Sequence, residues 1–311
     1  MAVRRSNIQN IGEYLALRLF EMIVHMFDVR ASYVTMRLLG DAVWFFTKRH
    51  PRRAIEHLRR SFPDWPERKV RRVARQSIRS TALLLLEMLY TRRQLSRMTW
   101  RRHVRLHNMQ ETVRLLVERK KGVVLVTGHF GNFEVITYMM ATIGIPTYSV
   151  ARRLDNPLLD EHLIASREKT GQVIISKSGA TAEAPRLLEE KQAVGFVADQ
   201  DAGRKGIFVD YFGRPASTYK SFGLLAMEYD VPVVIGYGRR LGERYAFEVG
   251  VERVIHPQEW KGRDDPLRWL TQEYTHSLEN VVRRWPEQYF WAHRRWKHRP
   301  KGEPPAEDGI A

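Results

Sequence analysis

The feature that most constrains the fold is an alternation that begins at Gly122. Short runs rich in valine and isoleucine alternate from there with stretches long enough to form helices. Runs of that length, separated in that way, are typical of an α/β fold in which helices cover a mainly parallel sheet. The predicted strands are residues 123–126, 147–150, 173–175, 194–197 and 231–235, with 207–211 and 245–251 as further candidates.

Helical patterns lie on both sides of this region. Asp265-Pro266 opens a long predicted helix, because proline suits the first helical turn. Residues 51–105 also have a helical pattern and carry many arginines, most of which we expect on solvated helix faces. The longest uncharged run, residues 135–151, is broken by Gly144 and Pro146. It therefore predicts a helix followed by a strand and not a membrane span.

The first 50 residues predict two amphipathic helices. Residues 14–29 are mostly apolar, and their polar residues recur at steps of three and four, as in the polar stripe of a helix. That stripe consists of Arg18, Glu21, His25 and Asp28. A second apolar stretch, residues 33–46, ends in aromatic residues beside Lys48-Arg49-His50. Aromatic and basic neighbours suit a bilayer interface, so we expect contact with a membrane surface. The alternative is that both helices cover the core of a soluble domain.

The charge balance restricts the partners of the chain. Its 311 residues include 52 Lys and Arg against 35 Asp and Glu, which gives a net charge of +17 at pH 7. Such an excess indicates an acidic partner: nucleic acid, anionic lipid, a phosphorylated substrate or an acidic carrier protein. The chain has no cysteine, which excludes disulfides, thiolate metal sites and cysteine nucleophiles.

The residues suited to chemistry are concentrated in the segment TGHFGNFE, residues 127–134, directly after the first predicted strand. The end of a strand that turns toward a helix is where α/β folds place reactive groups. Gly128 and Gly131 allow a tight turn and a close approach of substrate to the backbone. Asn132 is suited to cap the helix that follows.

His129 and Glu134 are the candidate catalytic pair. Five residues of regular helix turn the chain by about 500°, so two helical side chains at this spacing point about 140° apart. They meet only if His129 lies in the loop and Glu134 in the first helical turn. A carboxylate on one imidazole nitrogen would fix the tautomer and raise the basicity of the other nitrogen, which then takes a proton from a hydroxyl. The alternative is a structural histidine.

Two carboxylates follow the predicted strand 194–197. Asp199 and Asp201 occupy another strand end, at which they can lie beside His129. A diacid next to histidine and glutamate can alternatively hold a metal ion. The spacings of recognised metal motifs are missing, however, so an acid–base role is favoured.

Basic residues surround the same stretch of sequence. Arg204, Lys205 and Arg214 are suited to hold a phosphate, because guanidinium groups bind it through two hydrogen bonds. The alternative is that they are solvated loop cations. Gly213-Arg214-Pro215 itself predicts a turn.

The His129-x4-Glu134 motif in the context GHFGNFE resembles the bacterial lipid A late acyltransferases, the lauroyl and myristoyl acyltransferase family, which are relatives of the H-x4-D glycerophosphate acyltransferases. Further similar blocks lie in order along nearly the whole chain, so the resemblance is far more specific than one motif. These blocks are His57-Leu58-Arg59-Arg60-Ser61-Phe62-Pro63, Arg153 with Asn156-Pro157 and Asp160, Arg167-Glu168-Lys169-Thr170-Gly171, Asp199-Gln200-Asp201, Gly206-Ile207-Phe208-Val209, Phe212-Gly213-Arg214-Pro215-Ala216, Pro286-Glu287-Gln288-Tyr289-Phe290-Trp291 and His293-Arg294-Arg295-Trp296.

The resemblance implies an acyltransferase at the cytoplasmic face of the inner membrane. It implies an acyl carrier protein thioester as donor and, as acceptor, a glycolipid hydroxyl or the 3-hydroxyl of an existing acyl chain. An anionic membrane surface is a further partner. No nucleic acid, cofactor, metal or covalent acyl-enzyme is implied. The chain would divide into membrane-associating helices at residues 1–50, an acyltransferase domain at 51–299 and a disordered tail at 300–311.

The resemblance also assigns roles to site residues. His129 becomes the general base and Glu134 its partner, while Arg167 and Asp199 match positions that support the active site. Backbone N–H groups near residues 128–132, or a nearby cation, are expected to stabilise the oxyanion. The substrate-binding candidates are Gly128, Gly131, Asn132, Arg153, Asp201, Arg204, Lys205 and Arg214.

Two other functions stay open on the sequence, and a hydrolase is a third, weaker alternative. One is an acyltransferase that uses acyl-CoA and modifies another phospholipid or an aminolipid. The other, of a different class, is a basic nucleic-acid-binding protein, although its cations are scattered and no nucleic-acid motif is present. The sequence has neither a phosphate-binding P-loop nor the G-x-S-x-G elbow of hydrolases.

Overall fold

The computed structural model describes residues 6–169, 171–176 and 179–302. Its strands are β1 (Val104–His107), β2 (Val123–Thr127), β3 (Thr147–Ala151), β4 (Gln172–Ser176), β5 (Ala193–Val197), β6 (Ile207–Tyr211), β7 (Arg214–Thr218), β8 (Val233–Arg240) and β9 (Phe247–Ile255). A seven-stranded sheet has the order β1-β9-β8-β2-β5-β3-β4. Its neighbouring strands are parallel except for β8 and β9, which are antiparallel. A separate antiparallel pair consists of β6 and β7.

Helices flank the large sheet and precede it. They are α1 (Asn7–Met26), α2 (Val29–Phe46), α3 (Arg49–Ser61), α4 (Glu67–Gln94), α5 (Trp100–His103), α6 (Gln110–Glu118), α7 (Glu134–Thr142), α8 (Pro157–Glu168), α9 (Ala180–Glu189), α10 (Ser221–Glu228), α11 (Pro257–Trp260) and α12 (Pro266–Arg284), with short 3-10 helices at Gly203–Lys205 and Pro286–Gln288. The predicted disordered tail, residues 300–311, lies outside the described ranges from residue 303 onward.

The pairing of β2 with β5 sets the geometry of the candidate site. Thr127, the last residue of β2, lies opposite Val197, the last residue of β5. The carboxyl ends of parallel strands meet at one edge of a sheet. The residues two positions beyond each strand, His129 and Asp199, therefore leave the sheet side by side. The valine run of β2 is continuous because this central strand is covered on both faces.

Helices bury both faces of this sheet. On one face, Val135 and Met139 of α7 belong to a buried cluster with Val123 of β2. On the other face, Phe222 of α10 and Leu270 of α12 belong to a second cluster. The sheet is therefore the core layer, and the loops at its carboxyl edge are the surface available for a site.

The expected α/β fold is confirmed, with a mostly parallel sheet flanked by helices. The prediction missed β1 and β7, and it placed the turn near Arg214 one position too late. The two-residue connection from β6 to β7 consists of Phe212 and Gly213, whose φ angles are 56° and 70°. Two positive φ angles match the right-handed twist of a hairpin. Pro215 fits in β7 because the strand has only one neighbour.

The amphipathic N-terminal helices are also confirmed, and α1 turns its apolar side outward. Leu15 and Leu19 on that side are 59% and 54% exposed. The polar side instead faces α8, with Glu21 Oε1 2.8 Å from His162 Nε2. Asp28 does not belong to this stripe, because its side chain caps α2. Within the described ranges, no helix is long and apolar enough to cross a membrane.

Candidate active site

The loop between β2 and α7 is shaped by two glycines. Gly131 has a φ of 54°, and a Cβ atom there would lie 2.1 Å from the carbonyl oxygen of Gly238. A side chain is therefore excluded both by conformation and by the approach of β8. At Gly128 a Cβ atom would press on Asp199 Oδ2 at 3.1 Å. Both glycines thus bring the loop close to its neighbours, as the sequence predicted for a tight turn.

His129 lies in this loop and is oriented by Asp199. Its Nδ1 is 2.7 Å from Asp199 Oδ1, and its backbone N–H donates to Asp199 Oδ2 over 2.8 Å. An ionised carboxylate only accepts hydrogen bonds, so Nδ1 carries the proton and Nε2 keeps its lone pair. Gln200 Nε2 lies 3.2 Å from His129 Nε2. The imidazole is thus prepared to accept a proton on the nitrogen opposite Asp199.

His129 and Asp199 shift each other's pKa. Burial alone would lower the pKa of His129, but the charge and hydrogen bond of Asp199, together with the charge of Glu134, outweigh it and raise the pKa above its ordinary value. Burial likewise acts to raise the pKa of Asp199, yet the charge and hydrogen bonds of His129 bring it down to about 2. Asp199 is therefore ionised at neutral pH and favours the protonated imidazole, which is what a general base needs when it takes up a proton.

The partner of His129 differs from the sequence expectation. Glu134 was expected to orient the imidazole, but it is the first residue of α7 and binds Arg167 of α8 through both carboxylate oxygens. One of these bonds, from Arg167 Nε to Glu134 Oε2, measures 3.0 Å. His129 lies in the loop and Glu134 in the first turn of α7, as their meeting would require, but Arg167 engages Glu134. The pairing of β2 with β5 brings Asp199 to the ring in its place. Glu134 acts on His129 only through its charge.

Asn132 fulfils the predicted capping role and also ties the loop to the protein core. Its Oδ1 accepts from the backbone N–H of Val135 over 3.0 Å, and its Nδ2 donates to Glu87 Oε2 over 3.1 Å. Glu87 is fully buried in α4, where it pairs with Arg240 of β8 and accepts from the Tyr33 hydroxyl over 2.6 Å. A buried ion pair thus anchors the first turn of α7. Neither Glu87 nor Arg240 was indicated by the sequence, because their 153-residue separation carries no local signal.

The predicted substrate-binding cations do not form one cluster. Arg204 and Lys205 are exposed on their short helix. Arg214 instead donates to Ser61 Oγ over 2.8 Å and stacks on Trp296 at 3.6 Å, so it braces α3 against the C-terminal segment.

Two other candidates have protein partners. Arg153 donates to Asp160 Oδ2 over 2.7 Å. Asp201 Oδ2 lies 2.6 Å from His298 Nδ1, so its carboxylate is engaged by the C-terminal segment. In the described part of the chain, no three histidine or acidic side chains converge on a possible metal position. The metal alternative therefore finds no support there.

His293 is a further neighbour of His129, to which the sequence assigned no role in the site. Its ring lies parallel to that of His129, with centroids 6.3 Å apart. Burial, the largest influence, lowers the pKa of His293 to about 4. It is therefore neutral at pH 7 and adds no positive charge beside the base.

A cavity of about 940 Å³ opens at His129. Its walls are largely apolar and include Leu125, Ile136, Met140, Phe196 and Val249. Polar lining is contributed near the loop by Glu134, Arg167 and Gln200. The arrangement suits a ligand with a long apolar part and a reacting group beside Nε2.

The sequence pattern of the family described as "Bacterial lipid A biosynthesis acyltransferase" matches residues 6–298. The chain belongs to this family. It is 26% identical over 276 residues to the lipid A biosynthesis lauroyltransferase of Escherichia coli K12, covering 86% of this chain and 85% of that protein. It is 25% identical over 289 residues to the lipid A biosynthesis palmitoleoyltransferase of the same strain, covering 88% and 89%.

A lipid A biosynthesis acyltransferase of Haemophilus influenzae is 24% identical over 285 residues, which cover 88% of each chain. The relatives are thus similar over nearly their whole length. Membership in this family identifies the protein as an acyltransferase.

Proposed function

We propose that the protein transfers a fatty acyl group from an acyl carrier protein thioester to a hydroxyl of a lipid A precursor or related glycolipid. His129 is the general base. The observation that carries this proposal is the orientation of His129, whose Nδ1 is held by Asp199 while Nε2 lies at the wall of an apolar cavity. Family membership supports the reaction class and the lipid A acceptor class.

The chemistry follows from the two ring nitrogens. The acceptor oxygen attacks the thioester carbonyl carbon while His129 Nε2 takes its proton. Asp199 stabilises the imidazolium that forms. When the tetrahedral intermediate collapses, the C–S bond breaks and the imidazolium returns the proton to the leaving sulfur. The products are an ester on the acceptor and the free thiol of the carrier, so no group stays on the protein.

The cavity is the proposed binding site of the acyl chain. Its apolar walls on β2, α7 and β9 remove methylene groups from water, at roughly 0.8 kcal/mol for each group. The ion pair of Glu134 with Arg167 lines the same cavity and neutralises two charges that would otherwise oppose an apolar ligand. Arg204 and Lys205 remain exposed near the Asp199 loop, where they suit an acidic carrier or an acceptor phosphate.

The N-terminal helices are the proposed membrane-associating part, residues 1–50, ahead of an acyltransferase domain at 51–299. The exposed apolar side of α1, with Leu15, Leu19 and Met22, suits insertion into the head-group region of a bilayer. Phe45 and Phe46, at the end of α2, are further exposed apolar side chains of this part. With a net charge of +17, the protein should favour an anionic leaflet, and we place it at the cytoplasmic face of the inner membrane.

The donor is tested by competition. Purified protein is given acyl carrier protein carrying one labelled acyl group and CoA carrying another, with a lipid A precursor in mixed micelles. The product is identified by mass. Label drawn mainly from the carrier supports the proposal, and label drawn mainly from CoA favours the acyl-CoA alternative. Tight, salt-sensitive binding of nucleic acid without any transfer would instead favour the nucleic-acid-binding alternative.

A further inference from the structure

An oxyanion forms in the proposed reaction, and the backbone N–H groups of residues 129–132, in the His129 loop, are already occupied in the observed conformation. Four consecutive N–H groups of this loop already donate to protein acceptors. They are His129 N to Asp199 Oδ2 at 2.8 Å, Phe130 N to Gly128 O at 2.8 Å, Gly131 N to Gln288 O at 2.9 Å and Asn132 N to Gly238 O at 2.7 Å. The expectation that these amides stabilise the oxyanion is therefore not supported by the geometry.

We propose that the side-chain amide of Gln200 is the oxyanion donor. Its Nε2 lies 3.2 Å from His129 Nε2, the atom that takes the proton from the attacking hydroxyl. In the neutral imidazole, His129 Nδ1 donates to Asp199 and Nε2 presents a lone pair, which the NH2 end of the Gln200 amide faces. A donor is thus already positioned beside the point at which the new C–O bond forms.

The surroundings of Gln200 allow its side chain to move while its backbone stays fixed. The residue follows the buried Asp199, and its carbonyl oxygen accepts from Arg295 Nη1 at 3.5 Å. Arg295 is itself buried and donates to Ser217 O and to Thr218 Oγ1, both at 2.6 Å. The Gln200 side chain is exposed and lines the cavity. When an acceptor hydroxyl displaces it from His129 Nε2, the amide can turn to the adjacent carbonyl oxygen of the thioester.

The inference rests on the proposed function, since it assumes that His129 acts on a thioester. It adds Gln200 as a catalytic residue that stabilises the oxyanion, whereas Asp199 orients His129. The amide donates to the carbonyl oxygen more strongly as negative charge develops there, so its contribution appears in the transition state and little in substrate binding.

The test compares wild type with Gln200→Met, which keeps the length of the side chain and removes the donor. We expect kcat to fall about 100- to 1,000-fold with KM changed less than about threefold. Gln272→Met makes the same chemical change on α12, where that side chain binds Asp210, and should leave kcat unchanged. A Gln200→Met enzyme within about threefold of wild-type kcat would overturn the inference.

A second measurement does not require turnover. A trifluoromethyl ketone analogue of the acyl thioester adds water at its carbonyl carbon and binds as the tetrahedral hydrate, whereas the thioether analogue has no carbonyl. Calorimetry should show that Gln200→Met lowers the affinity for the ketone by a factor similar to its loss in kcat. The affinity for the thioether should be unchanged. Equal binding of the ketone by both proteins refutes the role of Gln200. An inactive wild type, or a fully active His129→Ala, would contradict the proposed function instead.

Discussion

Replacing Asp199 by asparagine tests the pair that the structure places at the centre of the site. Asparagine keeps the size of the side chain but removes the charge that orients His129 and stabilises the imidazolium. It can also present an N–H group to His129 Nδ1, which favours the wrong tautomer. In triads with the same arrangement, this change lowers kcat about 10⁴-fold. At about 1.36 kcal/mol for each factor of ten, that loss corresponds to roughly 5.4 kcal/mol of barrier.

The same variant has a signature in the pH profile. His129 acts as a base only when it is neutral, so kcat/KM should rise with pH through the pKa of the free enzyme's His129. In the wild type, Asp199 raises the pKa of His129 above its ordinary value despite burial. In Asp199→Asn, burial and the charge of Glu134 remain but the charge of Asp199 is lost, so the midpoint of the residual activity should move to lower pH.

Initial rates of transfer from an acyl thioester to a lipid A precursor, measured across pH, provide the assay. Asp230→Asn is a matched control, because Asp230 pairs with Lys121 and Lys261 at the surface. Asp199→Asn activity within tenfold of wild type, or a midpoint that stays in place, would refute the assigned partner. If Glu134→Gln instead reproduced both effects, Glu134 would be the residue that orients His129, as the sequence predicted.

Three further predictions concern the loop, the core and the membrane surface. Gly131→Ala should lower the free energy of unfolding by more than about 1 kcal/mol in urea titration, because its Cβ atom meets the Gly238 oxygen at a positive φ; wild-type stability would contradict the loop geometry. Glu87→Leu should lower the free energy of unfolding by about 3–5 kcal/mol in the same titration, because it leaves Arg240 buried without its counter-charge. A change below about 1 kcal/mol would contradict that pairing. Leu15→Ser with Leu19→Ser should weaken sedimentation with anionic vesicles more than tenfold at unchanged melting temperature, because each leucine contributes roughly 1.5–3 kcal/mol when buried in lipid. Unchanged sedimentation would show that α1 is not the membrane contact.

The surface variants of α1 are preferable to a deletion of both N-terminal helices. Tyr33 of α2 donates to Glu87, and Ser32 Oγ lies 2.9 Å from the hydroxyl of Tyr90 in α4. Deleting α2 would therefore disturb the buried network behind the catalytic loop. Loss of membrane binding and loss of fold would then be confused, which the double substitution on α1 avoids.

The sequence predicted most of the sheet because most of its strands carry their own local signal. The valines of β2 and β5, and the helix opened by Asp265-Pro266, are patterns contained within a few neighbouring residues. The strand Val104–His107 was missed because only its first residue is buried, so it shows no apolar run. The hairpin turn was predicted one position too late because a proline in an edge strand gives the same local pattern as a proline in a turn.

The candidate site was predicted in composition but not in pairing. His129, Asp199, Arg167 and Glu134 do gather at the carboxyl edge of the sheet. Which carboxylate meets the imidazole depends on the register of two strands separated by about 70 residues, and no spacing within the motif encodes it. The contacts of Glu87 with Asn132 are equally non-local.

Proton transfer by His129 during acyl transfer to a glycolipid is tested most directly by one comparison. Wild type and His129→Ala are incubated side by side with labelled acyl carrier protein thioester and a lipid A precursor, and the extracted lipids are identified by mass. We expect the acylated glycolipid with wild type and a loss of at least about 1,000-fold with His129→Ala, at equal melting temperature. Equal product from both proteins, or none from wild type with any thioester donor, would contradict the account.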